Sequence, residues 1–574
     1  MSTLVPREWV LRSSRPATPP DPHTDRLVAQ ALGLCELTAA VLVARGHRTP
    51  ESARAFLDGG AFPLDPFLLT GMEQAVDRLH RAVQRRERVL VYGDYDVDGA
   101  SAVSLYLQFL RGLGLAADFY IPHRIKEGYG LNADAVRRIA ASGVSVLITA
   151  DCGTTSVDDI ALAQSLGMDV IVTDHHLPDA ILPPALAILN PCKPDSGYPF
   201  TGLCSGGLAY KVASAYQAKY GAAGWDADAS LDLVALATIA DVAPLQEENR
   251  ALVRKGLARL TQGTRPGIKA LKMVAGVKGD CGVGTVGFRL APRINAAGRL
   301  GDAADAVRLL MTDDEREAAD LAGLLHRLNQ ERQAVEEGMV AAAMQAADAA
   351  PPGPFVLASR GWHPGVIGIV ASRIAERYAR PAILIALNGE GIGKGSARSI
   401  AGINMVEAIA HCRECLVAFG GHAAAAGVTI REERIPAFRA RLADVLQGPL
   451  SDPASRPRLL CDAEVEARAC VPAAARELER LGPFGAGNPE PTLVLRNLRI
   501  ASARIVGTNH LKLTLAGQSG PTLDAIGFKM GTLESRRVSP SDPIDVACAL
   551  EINVWNGTER AQLRLKDLRA SVNG

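Results

Sequence analysis

The chain has 574 residues, and its 62 Lys plus Arg are balanced by 62 Asp plus Glu, so the formal net charge is zero. That length suggests three or four domains with apolar content for several cores. Neutrality excludes a global field that would gather nucleic acid, leaving a local basic cleft as the route to such a partner. Met1 to Ser14 carries no apolar signal-peptide core and no run of 18 apolar residues occurs, so a soluble, cytoplasmic protein without a membrane partner is expected. The ten cysteines lack paired zinc-type spacing, and the close pair Cys412 and Cys415 reads as reduced helix-face residues.

Residues 1–70 form an N-terminal arm, proline-rich at the start and helical afterwards, with Thr49-Pro50-Glu51 as a helix start. From Met72 an α/β rhythm begins. Arg88 to Tyr92 reads as a strand, followed by Gly93-Asp94-Tyr95-Asp96-Val97-Asp98-Gly99 and an apolar helix through Leu110. Further strands are expected at Phe119 to Pro122, Val144 to Ala150 ending in Asp151, Val170 to Thr173 ending in Asp174-His175-His176, and Ala187 to Asn190. Strands alternating with helices at this spacing predict a mostly parallel sheet, whose C-terminal strand edge is where ligands sit. Leu231 to Asp241 reads as a buried helix that Pro244 stops. A long helix from Asp313 to Ala349 ends at the linker Pro351-Pro352-Gly353-Pro354. A second α/β unit follows from Phe355 to Gln447, then a hinge at Ser451 to Pro457. Short strand runs at Thr492 to Leu498, Leu511 to Leu515, Ile544 to Val554 and Gln562 to Leu565 predict a small barrel or sandwich. No internal repeat or low-complexity segment occurs.

Asp94, Asp96 and Asp98 stand at alternate positions before a glycine, and carboxylates this close repel one another unless a cation neutralises them. The likeness to a calcium loop is superficial, because the twelfth position from Asp94 is Leu105 and not glutamate. The alternative is a strand-to-helix turn with N-capping aspartates. Adjacent histidines beside an aspartate suit Mn²⁺ or another divalent ion; their alternative is a solvated turn. With Asp151 and Asp241, four elements aim ligands at one sheet edge. A carboxylate bridging two ions about 3.5 to 4 Å apart would activate water at one and stabilise the leaving oxygen at the other, chemistry suited to phosphoesters or phosphoanhydrides.

Gly-Asp-Tyr-Asp-Val-Asp-Gly, Ala-Asp-Cys-Gly, Thr-Asp-His-His and Ala-Thr-Ile-Ala-Asp-Val resemble the four successive motifs of the DHH phosphoesterases. The runs Pro292 to Arg299, Gly361 to Gly368, Lys394 to Ser399 and Phe419 to His422 are similar to the RecJ branch of that family. The resemblance spans nearly the whole chain. It implies an α/β fold: a parallel-sheet DHH domain (71–311), a connecting helix and linker (312–353), a second α/β domain, DHHA1 (354–450), and a C-terminal OB-fold β-barrel (451–574). It also implies catalytic roles for Asp94, Asp96, Asp98, Asp151, His175, His176 and Asp241. Two divalent cations, Mn²⁺ in preference or Mg²⁺, would be ligated by Asp96, Asp98, Asp151, His175 and Asp241, with Asp151 the bridge. His176 would touch a substrate phosphate, its alternative being a histidine hydrogen-bonded behind the site. Arg124, Arg299, Ser396, Arg398 and His422 would hold the substrate backbone; in isolation Arg124 and Arg299 each read as a surface arginine and the glycines beside His422 as a packing turn.

From residue 491 onward eleven Lys/Arg face seven Asp/Glu. Trp555, Phe528, Lys529, Arg536 and Arg537 are candidate contacts on a platform for single strands, although Trp555 could equally be core. The implied activity is a metal-dependent exonuclease that degrades single-stranded DNA 5′ to 3′ to mononucleotides, in DNA repair and recombination. A single-strand-binding protein and a RecQ-type helicase are partners suggested by the family alone. The alternatives are a DHH phosphoesterase acting on short oligonucleotides or other small phosphate substrates, and a catalytically dead replication scaffold, which would have lost several of the ligands present here.

Overall fold

The β-branched runs form strands because their side chains pack both faces of one sheet. Val89–Gly93 and Val146–Ala150 are buried along their whole length. A computed structural model of the chain describes residues 7–12, 23–59, 63–221, 225–517, 520–533, 538–555 and 557–571. It divides into two compact units, one of residues 62–455 with 485–487, the other of residues 1–61, 456–484 and 488–574.

In the first unit, five strands stand in the order Ala117–Tyr120, Val89–Gly93, Val146–Ala150, Asp169–Thr173 and Ala187–Leu189, all parallel. This is the sheet expected from the sequence. The strand anticipated at Phe119 to Pro122 lies two residues earlier, since Pro122 has no N–H to extend a ladder. The helix Val97–Gly112 is buried on nearly every side, packed between the sheet and the helices Ser205–Tyr220 and Leu231–Ala240. Ala133–Ala141 and Val157–Ser165 cover the opposite face through a separate core of Val136, Ile139 and Ile160 against Leu147 and Val170. Burying one such Leu or Val contributes about 1.5 to 3 kcal/mol.

The long helix, Glu315–Asp348, is capped by Asp314, whose carboxylate accepts the N–H of Arg316 and Glu317. Its 34 residues reach roughly 50 Å. The first half buries Ala318, Leu321 and Leu325 in the core of the parallel sheet, and the second half buries Met339, Ala343 and Ala347 against Phe355, Val370 and Ile374. The second sheet runs Ala418–Gly421, Ala425–Arg431, Ile392–Arg398, Ala382–Leu387, Phe355–Ser359, with only the last pair parallel.

In the second unit, the helices Thr24–Leu32, Glu36–Ala44 and Pro50–Asp58 share one core with the C-terminal strands, Val28, Leu42 and Leu57 lying with Leu493, Leu513 and Leu563. Thr49 caps the third helix through a reciprocal hydrogen bond with Ser52, as its sequence suggested. A strand the sequence reading did not include, Glu8–Leu11, pairs in parallel with Arg458–Cys461. The six-stranded sheet includes Leu493–Val506, His510–Ala516, Thr522–Gly527, Ile544–Trp555 and Thr558–Ala570, and Leu493–Val506 pairs with both His510–Ala516 and Ile544–Trp555. Thr522–Gly527 was not anticipated, and the first and last of these strands run well past their expected ends. Among the described residues all ten cysteines are free, and Cys412 and Cys415 are buried.

Candidate active site

The loop of Asp94 to Asp98 joins the strand Val89–Gly93 to the helix Val97–Gly112. Asp96 is the N-cap: its Oδ1 accepts from the N–H of Asp98 at 2.9 Å and Gly99 at 3.1 Å. The capping alternative is therefore realised at Asp96, in the midst of the carboxylate cluster. The Asp98 carboxylate accepts from two backbone donors, Ser205 N–H on Oδ2 and Gly206 N–H on Oδ1, each at 2.8 Å. These groups open the helix Ser205–Tyr220, whose free N–H groups and dipole favour an anion. Asp151 ends its strand with a left-handed φ of 69° and accepts from Ser205 Oγ at 3.1 Å.

His175 sits among the carboxylates. Its Nε2 is 3.1 Å from Asp151 Oδ1 and 3.6 Å from Asp98 Oδ2, and its Nδ1 is 3.9 Å from Asp241 Oδ2. Asp241 closes the helix Leu231–Ala240 as expected. Three sets of ligand atoms gather within 4.8 Å: Asp94, Asp96 and Asp151; Asp98, His175 and Asp241; and Asp151, His175 and His176. Asp151 and His175 each belong to two of them, and Asp94 stands among the donors.

The electrostatics fit cations. Burial first, then neighbouring aspartates, push the Asp94 and Asp151 carboxyls well above the usual range; burial raises Asp98 and lifts Asp241 to about 8. Asp94 Oδ1 is buried without a hydrogen-bond partner. Among the described residues no Lys or Arg makes an ion pair with Asp94, Asp96, Asp98, Asp151 or Asp241. Divalent ions would supply the missing positive charge, and carboxylate with imidazole donors suits Mn²⁺ or Mg²⁺.

His176 has a different environment. Its Nδ1 lies 2.7 Å from Asp174 Oδ1 and 3.1 Å from the Tyr129 hydroxyl. Burial pulls its pKa down, but the Asp174 hydrogen bond and charge outweigh that and raise it to about 9. Asp174 in turn accepts the N–H groups of Thr154, His175 and His176. Despite its burial, the hydrogen bond and charge of the His176 ring, then the Thr154 N–H, hold its pKa down at about 2. His422 stacks on His176 with ring centroids 5.9 Å apart, so the second sheet faces the carboxylate cluster.

The expected substrate-binding residues gather on the same side. Arg124 lies 4.0 Å over the Tyr95 ring. Arg299 is partly buried, donates from Nη1 to Gly365 O at 2.9 Å, and is lowered to about 10 by desolvation and then by Arg124 and Arg332. Arg398 donates to Ser396 Oγ at 2.9 Å and Ser372 Oγ at 3.1 Å. On Gly368 a Cβ would stand 2.9 Å from Arg398 Nη2, so the absence of a side chain there keeps room for the guanidinium.

Sequence reasoning missed several supporting residues. Asn295 Oδ1 accepts Val97 N–H at 3.2 Å, and Tyr129 donates its hydroxyl proton to Asp151 O. Arg332, buried on the long helix, pairs with Glu336 and donates to Asn329 at 3.0 Å; Glu336 also pairs with Arg373 at 2.5 Å. Polar residues at i, i+3 and i+7 on one helix face were the available signal. Of the platform residues, Phe528 is exposed and Lys529 follows it in a left-handed conformation. Arg536, Arg537 and the Trp555 side chain lie outside the described residues.

Residues 88–238 match the DHH family N-terminal domain, 353–448 the DHHA1 domain and 461–567 the RecJ OB domain. The chain is 40% identical over 566 residues to the single-stranded-DNA-specific exonuclease RecJ of Bacillus subtilis, covering 96% of this chain and 70% of that protein. It is 36% identical over 526 residues to the protein of the same name from Escherichia coli, covering 87% and 90%. The crystal structure of RecJ in complex with Mn²⁺ from Thermus thermophilus superposes with a TM-score of 0.84 at 34% identity, covering 96% of this chain and 79% of that one. On its three domains, its motifs and these relatives, the chain belongs to the RecJ family of DHH proteins.

Proposed function

We infer that this chain is a metal-dependent exonuclease that hydrolyses single-stranded DNA. The observation carrying the reading is that a buried, unneutralised set of carboxylates faces a set of guanidiniums within residues 62–455, a pairing of charges suited to a phosphodiester. Asp96, Asp98, Asp151, His175 and Asp241 would hold two divalent ions, with Asp94 beside them. When bound, such a pair lowers the pKa of water and stabilises the leaving oxygen.

The protein's own residues do the rest. Arg124, Arg299, Ser396, Arg398 and His422 hold the phosphates, where planar guanidiniums match phosphate oxygens in two-pronged hydrogen bonds. Asp174 keeps His176 as an imidazolium, so its ring donates to a phosphate oxygen. Serine, cysteine and lysine nucleophiles are unnecessary. Cleavage from the 5′ end to mononucleotides, a role in DNA repair and recombination, a cytoplasmic location, and association with a single-strand-binding protein and a RecQ-type helicase are proposed on the family resemblance. So are the divisions after residues 70, 311, 353 and 450, and the role of Phe528, Lys529, Arg536, Arg537 and Trp555 as a strand platform.

The test is digestion of strands labelled at either end, single and double, with Mn²⁺, Mg²⁺ or chelator, beside Asp151→Ala. Mononucleotides released from the 5′ end of single strands only, abolished by chelator and by the substitution, are expected. Intact long strands alongside hydrolysed dinucleotides would replace this reading with a small-substrate phosphoesterase, and strand binding without hydrolysis would favour a scaffold. Binding should weaken as salt rises, because phosphate contacts release counterions.

A further inference from the structure

The helix Ser205–Tyr220 opens Ser-Gly-Gly after Cys204, a start poor in helix formers, and Cys204 makes no side-chain cap. For Gly206 the fold supplies a reason. A Cβ there would stand 2.5 Å from Ala237 Cβ, so a bare backbone lets this first turn settle against the helix Leu231–Ala240. The close approach carries the N–H groups of Ser205 and Gly206 onto the two oxygens of Asp98. That contact is backbone only, and any residue with an N–H could make the Ser205 half of it. The serine side chain therefore needs its own explanation.

Ser205 is wholly buried, and its hydroxyl donates to Asp151 Oδ1 at 3.1 Å. A hydroxyl buried without a partner costs about 1 to 3 kcal/mol, so each group holds the other in place. Asp151 is a residue that requires holding. Its backbone is left-handed, with a φ of 69°, and its side chain stands in one ligand set with Asp94 and Asp96 and in another with His175 and His176. The same Oδ1 lies 3.1 Å from His175 Nε2. The two neighbours differ in kind. His175 is itself a ligand that a cation would engage, whereas the serine hydroxyl is neutral and fixed to a helix, so it can stay on Asp151 whether or not an ion is bound.

We propose that Ser205 is a positioning residue of the metal centre, whose hydroxyl keeps the Asp151 carboxylate in its ligating orientation. One helix start thereby serves two carboxylates, its N–H groups on Asp98 and its hydroxyl on Asp151. Asp98 belongs to the helix Val97–Gly112 and Asp151 ends the strand Val146–Ala150, so the first turn of a third element sets the spacing between ligands of the other two. Losing a hydrogen bond that orients a ligating side chain costs about 10- to 100-fold in metal affinity. The inference rests on the metal-dependent reading of the site and deepens it.

The experiment titrates Mn²⁺ into the full chain and reads the free ion by electron paramagnetic resonance, for wild type, Ser205→Ala and Ser205→Gly. Both variants remove the same hydroxyl, so one that folds is enough. Ser104→Ala is the control: Ser104 is equally buried, and its hydroxyl donates to Ala100 O at 2.7 Å within its own helix. The Ser205 variants should bind Mn²⁺ about ten-fold or more weakly, while Ser104→Ala binds it as wild type does. At saturating Mn²⁺, KM for a single strand should stay within about three-fold of wild type, since Ser205 acts through a ligand and not on the strand. Mn²⁺ affinity within about three-fold of wild type in a folded Ser205 variant would overturn the inference and leave the metal reading standing. An equal loss of affinity in Ser104→Ala would assign the effect to loosened packing and would overturn it too. A wild-type protein that binds no Mn²⁺ would remove the metal reading and the inference together.

Discussion

Gly298→Ala tests whether the helix Ala291–Leu300 sets the position of the carboxylate loop. A Cβ on Gly298 would stand 2.3 Å from Tyr95 O and 3.2 Å from Tyr95 Cβ. A carbon–oxygen contact needs about 3.3 Å, so either the helix or the loop must move by roughly 1 Å. Tyr95 lies between Asp94 and Asp96, and the same helix holds the loop through Asn295 on Val97 N–H and carries Arg299. Such overpacking costs about 1 to 3 kcal/mol. Moving reacting groups by about 1 Å can cost 10²-fold in rate. The assay is kcat on a short single strand at saturating Mn²⁺, with chemical denaturation in parallel. A fall of about 100-fold in kcat with a modest loss of stability is expected. Activity within about three-fold of wild type would refute the idea that this helix fixes the loop.

Glu336→Gln leaves the buried Arg332 and the half-exposed Arg373 without their shared carboxylate, and should cost about 3 kcal/mol in denaturation. Replacing the whole pair, Arg332→Met with Glu336→Leu, should recover most of it; equal stability of the single variant and wild type would contradict this. In chelator, melting temperature should fall as pH rises from 5 to 9. Asp94, Asp98, Asp151 and Asp241 have raised pKa values in the folded chain, so their contribution is fully present below about pH 4 and is lost as pH rises through about 8 for Asp241. Mn²⁺ should remove the slope, and a flat profile in chelator would refute the argument. Asp174→Asn should let His176 fall from about 9 towards its ordinary value near 6.5, so kcat/KM should decline between about pH 6 and 8 where wild type stays level; parallel profiles would show that His176 works without its charge.

How much was legible follows from where each signal lay in the chain. The parallel sheet could be read because each strand is a compact apolar run, and the edge residues Asp151, Asp174, His175 and Asp241 directly follow such runs or a buried helix. Those positions needed only local pattern. The strand Glu8–Leu11 could not be read that way, because its partner is Arg458–Cys461, some 450 residues away. Thr522–Gly527 is short and bounded by Gly and Pro, so its turn signals mask its pairing with His510–Ala516. Arg332 and Glu336 sit on an amphipathic helix, where charges normally read as solvated; their burial depends on the helix Ile367–Tyr378, whose Arg373 reaches Glu336. Ser205 and Gly206 show no local signal at all, since their importance is two N–H bonds to Asp98 over 100 residues earlier.

A neutral chain that binds a polyanion must separate its charges, and this one does so across a single cleft. On one side five aspartates share a pocket with His175. On the other, Arg124, Arg299, Arg332 and Arg398 gather, where burial and then the neighbouring guanidiniums lower Arg299 and Arg398, with Glu336 the counter-charge on Arg332. Neither cluster is neutral alone, and each carries the sign that the other partner in the reaction would supply: cations for the carboxylates, phosphates for the guanidiniums. Divalent ions bound to the first would complete an attractive field for the second's ligand, so strand affinity should rise with metal. Without metal, the carboxylates would repel the phosphates that the arginines attract. The local balance decides binding, and the zero sum over 574 residues conceals it.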